Sequence, residues 1–334
     1  MTGQGGPGNV SASALPNASA TSPPAGAAPG QTFRFGISVL TGLWGAGLTF
    51  AFFSRPGFYG DFLAFWYAAR AWLSGLNPYS VTPSAPPYLI DDRFFYPMPS
   101  VVAVAPFAGL RLTIAGAAFF GLASALLGYA LSRDRWNRLP LFLSFPYIMA
   151  ASLGQWSPLV MAAALLPGAG FLNVLKPNLG LALTFARPTR AALIGGPLLL
   201  LASVALLPTW PADWLANLRT MEGHPPVLLT IWGFWLALIA IRWRTEDGRL
   251  VLGMAAVPQL PMFYDQLPLF LAHRNRRHSM LAALLSHVGG LLWLSRHRSD
   301  LHPSADALPW VIGFVFLPAF LVALRRSPRM PNGS

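Results

Sequence analysis

The segment that decides the fold runs from Tyr59 to Pro99 and reads YGDFLAFWYAARAWLSGLNPYSVTPSAPPYLIDDRFFYPMP. It follows the first long apolar run of the chain and is itself too polar to cross a membrane. It also contains three of the eleven carboxylates of the protein, at Asp61, Asp91 and Asp92. We therefore expect a loop outside the hydrocarbon, with Asp61 as the first position to consider for chemistry.

The apolar segments around this loop define the class of protein. Of the 334 residues, 54% are hydrophobic and only 10% are charged. The charges are concentrated between apolar runs of about 17 to 25 residues, a length that crosses a bilayer as a helix. Continuous apolar runs exclude a membrane β-barrel, whose strands alternate over short segments. The sequence therefore predicts an all-α polytopic membrane protein.

The distribution of arginine predicts the orientation. One set of breaks between apolar runs holds fifteen arginines and three acidic residues, whereas the other breaks hold seven arginines and eight acidic residues. Because an excess of arginine is typical of cytoplasmic loops, we place the first set inside and the segment Tyr59–Pro99 outside. The net charge of +12 then reflects topology, and no nucleic-acid partner is expected. The inside arginines are Arg34, Arg133, Arg135, Arg138, Arg187, Arg190, Arg242, Arg244, Arg249, Arg274, Arg276, Arg277, Arg325, Arg326 and Arg329.

The predicted organisation is one membrane domain between two tails. Residues 1–32 carry no charge and are rich in Gly, Pro, Ala and Ser, which is typical of a disordered tail, here cytoplasmic. Residues 33–326 form a single transmembrane domain of nine to ten helices, and residues 327–334 form a short cytoplasmic tail. Between 157 and 187 we expect one broken helix plus a partly inserted segment. Other predicted spans are Phe35–Phe53, Leu112–Leu131, Val227–Ile241, Leu250–Phe263 and a return over Leu267–Ala272 that is too short to cross. One lysine against 22 arginines indicates a GC-rich bacterial genome, so we expect a multi-pass protein of the bacterial inner membrane.

The outer loop contains sequence signals for the start and end of two short helices. The first is predicted over 61–75, where aromatic and apolar residues recur at helical spacing and Gly75 marks the end. The second follows Pro99 and is too short to span the membrane. Both are expected to be interfacial helices, lying along the membrane surface. The potentially reactive residues also collect outside, and the span interiors are nearly free of ionisable groups. That distribution disfavours an ion-coupled transporter, which more often carries such groups at mid-depth.

The order of motifs resembles the GT-C superfamily of membrane glycosyltransferases. It is most similar to glycosyltransferase family 87, the polyprenol-phosphate-mannose-dependent mannosyltransferases of bacterial envelopes. The resemblance covers about residues 35 to 270, and Met98 stands where the family has a second proline. The matching motifs are Asp61 with Tyr67-Ala68-Ala69, Pro78-Tyr79, Tyr96-Pro97, Gly154-Gln155, Lys176-Pro177 and Tyr264-Asp265.

The resemblance implies the transfer of a hexose, mannose in the family, from a polyprenyl-phosphate donor to an acceptor hydroxyl on the outer face. The transfer is inverting, with Asp61 as general base and the lipid phosphate as leaving group. A glycolipid or glycan acceptor and membrane lipids are the other expected partners. No cofactor is expected, although the superfamily would permit a divalent metal near Asp91 and Asp92. The six histidines have no metal-ligand spacing, and no metal site is predicted.

Each candidate position also has a purely structural interpretation. Asp61 opens a helix, where Asp is a favoured N-cap. Arg93 and Arg111 either bind phosphate or anchor helices at lipid headgroups. The alternative function is a non-catalytic membrane protein of glycolipid or envelope assembly that kept the fold. The expected substrate-binding residues are Lys176, Arg93, Arg111, Tyr96, Gln155, Tyr264 and Asp265.

Overall fold

A computed structural model describes residues 1–3, 30–56, 58, 60–80, 93–220, 225–296 and 303–325. All regular secondary structure in these ranges is helical, as the sequence predicted. Most of the predicted N-terminal tail, the tail 327–334, and Asp91 and Asp92 lie outside the described residues. The α-helices are α1 (Gln31–Phe53), α2 (Phe62–Leu73), α3 (Met98–Val104), α4 (Leu112–Asp134), α5 (Phe145–Leu153), α6 (Ser157–Leu165), α7 (Pro177–Ala186), α8 (Gly196–Val204), α9 (Trp210–Thr220), α10 (Glu246–Ala256), α11 (Arg276–Arg296), α12 (Pro303–Val311) and α13 (Leu317–Leu324).

Several helices indicate a membrane-embedded protein. Within the described residues, four helices are long and apolar enough to cross a bilayer, and the bent pair α5–α6 would make a fifth. The other apolar runs form shorter helices and 3-10 segments. Val227–Ile241, predicted as one span, instead lies in two 3-10 segments, Val227–Leu229 and Phe234–Arg242, and Gly233 between them packs on the Val227 carbonyl. The four long helices are Gln31–Phe53, Leu112–Asp134, Arg276–Arg296 and Asp306–Leu324.

The helices α1 and α4 pack closely along their length through small residues. A Cβ on Gly45 would lie 2.5 Å from the Ser124 hydroxyl oxygen, and one on Gly128 would lie 2.1 Å from the Thr41 hydroxyl oxygen. The Thr41 hydroxyl donates to the Ser124 carbonyl at 3.1 Å across the interface. Close backbone approach through small residues is a common way for membrane helices to associate. The other elements at the end of the molecule that carries Asp61 pack on this pair.

One end of the molecule is held by ion pairs, which we call the arginine layer. Arg187 contacts Asp134 at 3.1 Å and Glu246 at 2.6 Å, and Arg274 contacts Asp247 at 2.9 Å. These residues come from four different breaks that the sequence analysis assigned to one side of the membrane, so those breaks meet at one end. The layer consists of Asp134, Arg138, Arg187, Glu246, Asp247 and Arg274.

A first hairpin rises from this end and returns to it over residues 170–186. Its 3-10 segment, Gly170–Leu175, packs on α7, and the Asn173 amide donates to the Thr184 hydroxyl at 2.9 Å. A Cβ on Gly180 would lie 1.9 Å from the Asn173 carbonyl oxygen, so only glycine allows this contact. Helix α7 has ten residues and is about 15 Å long. The hairpin therefore spans about half the thickness of a bilayer's hydrocarbon.

A second hairpin, residues 246–272, lies beside the first. It pairs α10 with the 3-10 segment Phe263–Ala272, and the ion pair between Asp247 and Arg274 closes its base. Gly253 on α10 lies against Ala182 on α7, so the two hairpins pack together. The sequence predicted two opposite spans here, the second of them too short. Both segments instead form one hairpin, and Asp265 lies in the first turn of its returning 3-10 segment.

At the opposite end, α2, α3 and α9 cover the start of α4 and form a second hydrophobic core. The sequence predicted a helix over 61–75, and α2 occupies Phe62–Leu73. Phe62, Leu63 and Phe65 are buried, so α2 is enclosed by its neighbours rather than lying on a surface. The Trp214 indole on α9 donates to the Phe95 carbonyl at 2.8 Å and ties this layer together.

Candidate functional site

Asp61 immediately precedes α2, and the sequence allowed it to be either a general base or a helix N-cap. Its side chain makes no capping hydrogen bond to the described first turn of α2, and its backbone is already helical. Its carboxylate is exposed and instead accepts a hydrogen bond from the Gln155 side-chain amide. The capping hydrogen bond is therefore replaced by a contact with a residue 94 positions away in sequence.

Gln155 reaches Asp61 because the chain turns sharply between α5 and α6. These helices meet at 115°, and Gly154 ends α5 in the left-handed conformation with φ of 65°. A Cβ at Gly154 would also lie 2.6 Å from the Phe62 Cβ, so two independent features require glycine here. The turn leaves Gln155 fully buried, with its side chain between the two hairpins and the start of α2.

Lys176 occupies the turn of the first hairpin. Pro177 begins α7, and a residue before proline is disfavoured in the helical conformation, so the chain reverses here. The Lys176 ammonium donates to the Gln155 carbonyl oxygen at 2.8 Å and to the Asp265 carboxylate at 2.5 Å. Lys176 is 2% exposed and Asp265 is 3% exposed. Inside the protein, the pair therefore joins the turn of the first hairpin to the start of the returning segment of the second hairpin.

These contacts form one continuous relay from Asp265 through Lys176 and Gln155 to Asp61. An ammonium has only donors, so the Gln155 end that faces Lys176 is the carbonyl. The other end, the amide N–H₂ group, then faces Asp61 and donates to its carboxylate. Of the two carboxyl groups in the cluster, Asp265 is buried with Lys176, whereas Asp61 is an exposed residue. The arrangement holds an exposed carboxylate in a fixed orientation, which is what a general base requires.

Two tyrosines border the relay. The Tyr264 ring centre lies 5.4 Å from the Lys176 ammonium, and the Tyr264 carbonyl accepts from the Ser157 hydroxyl at 3.0 Å. Tyr96 stacks edge-on against Phe65, with ring centres 4.5 Å apart. Burial raises the pKa of Tyr96 to about 12, so its phenol is a hydrogen-bond donor at neutral pH. Six of the predicted site residues are thus brought together: Asp61, Tyr96, Gln155, Lys176, Tyr264 and Asp265.

The two predicted arginines are placed elsewhere. Arg93 is exposed and forms no ion pair with any described carboxylate, and Arg111 lines a separate cleft beside α2. Lys176 is buried, and its ammonium donates to Gln155 and Asp265. No three His, Asp or Glu side chains within the described ranges are grouped as a metal site would require.

Sequence reasoning treated Arg70 only as part of an interfacial helix. Its guanidinium lies 4.7 Å from the centre of the Trp66 ring and lines the same cleft as Arg111. Arg70 follows Trp66 by four residues on the same helix face, and this spacing was the sequence signal for their contact. The direct contact of Lys176 with Gln155 had no signal in the sequence. No family model, curated protein or solved structure matches this chain.

Proposed function

We propose that this protein transfers a hexose, with mannose the first candidate, from a polyprenyl-phosphate donor to an acceptor hydroxyl at the membrane surface. Asp61 is the general base, and the lipid phosphate is the leaving group. The acceptor is a glycolipid or glycan, and the site faces outward from a bacterial inner membrane. The single observation that carries this proposal is the relay that holds the side chain of the exposed Asp61 in a fixed orientation.

The chemistry follows from this geometry. The acceptor hydroxyl attacks the anomeric carbon of the donor while Asp61 takes the hydroxyl proton. The bond between the anomeric carbon and the phosphate oxygen breaks, and its electron pair remains on the phosphate. A single displacement inverts the anomeric configuration. Gln155 and Lys176 position Asp61, and the Tyr96 phenol supplies a donor beside the reacting sugar.

The proposed topology puts the arginine layer in the cytoplasm and both termini with it. In this arrangement the four long helices and an even number of shorter segments cross the membrane, and the two hairpins enter from the cytoplasmic side without crossing. The long axis of α7 places Lys176 about 15 Å from the arginine layer, so the relay begins near mid-membrane and ends at the outer surface.

The test is sugar transfer by membranes containing the Asp61→Asn protein. The variant keeps the shape of the side chain but cannot take a proton, so transfer from a polyprenyl-phosphate hexose should fall at least about 100-fold. Asp213→Asn is the matched control, because its carbonyl oxygen still accepts from Asn77 and transfer should persist. Normal transfer by Asp61→Asn would remove the base assignment.

The alternative is a non-catalytic protein of glycolipid assembly. The observation that favours it is the buried pair of Lys176 and Asp265, which would serve equally well to hold two hairpins together. Under this alternative, Asp61→Asn complements a deletion strain as well as the wild type does. Complementation without detectable transfer by the wild-type protein would identify this second function.

A further inference from the structure

A cleft of about 430 Å³ opens beside α2 and is separate from the relay. None of Asp61, Gln155, Lys176 or Asp265 lines it. It contains two guanidinium groups and no carboxylate, which distinguishes it from the relay cluster. Its lining consists of Phe53, Trp66, Arg70, Gly109, Leu110, Arg111, Leu112 and Thr113.

The first guanidinium is held in place by its surroundings. The Arg70 group stacks over Trp66, and its Nη1 donates to the Ala108 carbonyl at 3.1 Å. The Trp66 indole in turn donates to the Leu110 carbonyl at 3.1 Å. These contacts fix the orientation of the Arg70 guanidinium plane and therefore that of its remaining N–H groups. A preorganised guanidinium is well suited to the oxygens of a phosphate group.

The second positive element is the beginning of α4. Arg111 precedes this 23-residue helix, whose first turn contains no acidic residue and no side-chain cap. The N-terminal N–H groups of a helix are unpaired and carry partial positive charge, which favours an anion there. Arg70 from one side and Arg111 with the helix start from the other thus converge on one space.

The remaining wall is apolar, which argues for a lipid anion rather than a soluble one. Phe53, Leu110 and Leu112 line the cleft. Next to them in the chain, Phe50 is 51% exposed and Ile114 is 48% exposed, so apolar surface continues beyond the mouth. In a membrane that surface contacts hydrocarbon. A ligand with a charged head and a long apolar tail satisfies both parts of the cleft.

We propose that this cleft binds the phosphate of the isoprenoid donor, with the tail running along the exposed apolar surface of α1 and α4. This assignment rests on the proposed glycosyl transfer. The Phe53 ring lines the cleft and also packs against Gly60 and Gly154, the residues that precede Asp61 and Gln155. The cleft therefore lies beside both segments that position the base.

The test is binding of undecaprenyl phosphate to the purified full-length chain, measured by native mass spectrometry or by a radiolabelled-ligand assay. Arg70→Gln and Arg111→Gln should each weaken binding at least 10-fold. Arg219→Gln, an exposed arginine on α9 at the same end of the molecule, is the matched control and should bind normally. Arg70→Lys keeps the charge without the planar fork and should bind with intermediate affinity. Thermal unfolding of each variant shows that it is folded.

Two further ligands identify the source of the phosphate. Inorganic phosphate should compete only weakly, because it lacks the tail, and phosphatidylglycerol should not displace the isoprenoid phosphate. If the two glutamine variants lost phosphatidylglycerol binding but kept isoprenoid-phosphate binding, the cleft would be only a headgroup anchor. That result would overturn the proposal. Unchanged isoprenoid binding in both glutamine variants would also overturn it.

The binding measurement separates this proposal from the function. Asp61→Asn should bind the isoprenoid phosphate as the wild type does, even though it transfers no sugar. If the wild-type protein bound the isoprenoid phosphate through these arginines but transferred no sugar, the cleft proposal would stand and the glycosyltransferase proposal would be rejected. Transfer that persists in a protein with both arginines replaced would retain the transferase and reject the cleft.

Discussion

Lys176 donates to the side-chain carbonyl of Gln155 at 2.8 Å, and this contact decides which end of the Gln155 amide faces Asp61. The reverse orientation would point two N–H groups at an ammonium and a carbonyl at a carboxylate. The buried cation therefore acts on Asp61 without touching it. Variants that change the amide, the cation or the turn should alter different measurable properties.

Gln155→Glu should move the pH dependence of transfer. A second carboxylate beside Asp61 disfavours its ionised form and raises its pKa. Since Asp61 must be deprotonated to act, the acid limb of the pH–rate profile should shift to higher pH. Gln155→Leu removes the amide without adding charge and should lower the rate at every pH. An unshifted acid limb in Gln155→Glu would contradict the role of Gln155 as a neighbour of the base.

Lys176→Met should destabilise the protein strongly, because it leaves the Asp265 carboxylate buried without its cation. Breaking one half of a buried pair typically costs about 3–5 kcal/mol. The double variant Lys176→Met with Asp265→Leu removes both charges and should recover most of that loss in thermal unfolding. It should nevertheless remain poor in transfer, because the Gln155 amide is no longer oriented. Equal destabilisation by the single and double variants would argue against a functional ion pair.

Gly154→Ala should be more harmful than Gly168→Ala. Both glycines have positive φ, at 65° and 81°, and a Cβ there costs about 1–3 kcal/mol. Only Gly154 is also crowded, since its Cβ would meet Phe62, whereas nothing lies within 4 Å of a Cβ at Gly168. Thermal unfolding should therefore rank the two variants, and transfer should fail only in Gly154→Ala. Equal melting temperatures would show that the turn relaxes around the added methyl group.

The proposed orientation has a direct test, because the chain contains no cysteine. Single cysteines at Ser80, on the site end, and at Arg133, beside the arginine layer, are both exposed positions. A membrane-impermeant maleimide added to intact spheroplasts should modify Ser80→Cys and leave Arg133→Cys unmodified until the membrane is broken. The opposite labelling pattern would place the site in the cytoplasm and reject the proposed topology.

The sequence was informative where physical signals are local. Continuous apolar runs predicted α1 and α4, and the arginine pattern correctly grouped the breaks that contain Arg187, Glu246 and Arg274. The sequence did not distinguish membrane-spanning segments from the two hairpins, because the limb of a hairpin and a short span have the same apolar composition. The fold breakers Gly154 and Pro177 marked the turns. The pairing of those turns depends on packing between distant segments, which no local pattern encodes.

The two hairpins also constrain how the protein is made. Each limb is too short to partition into a bilayer alone, and each carries polar groups that hydrocarbon would not accept. We expect the translocon to insert the long helices first and the hairpins to enter only once those helices offer a protein surface. The contact between Lys176 and Asp265 then forms late in assembly, when residue 265 has left the ribosome. The relay to Asp61 is therefore complete only after residue 265 has been synthesised.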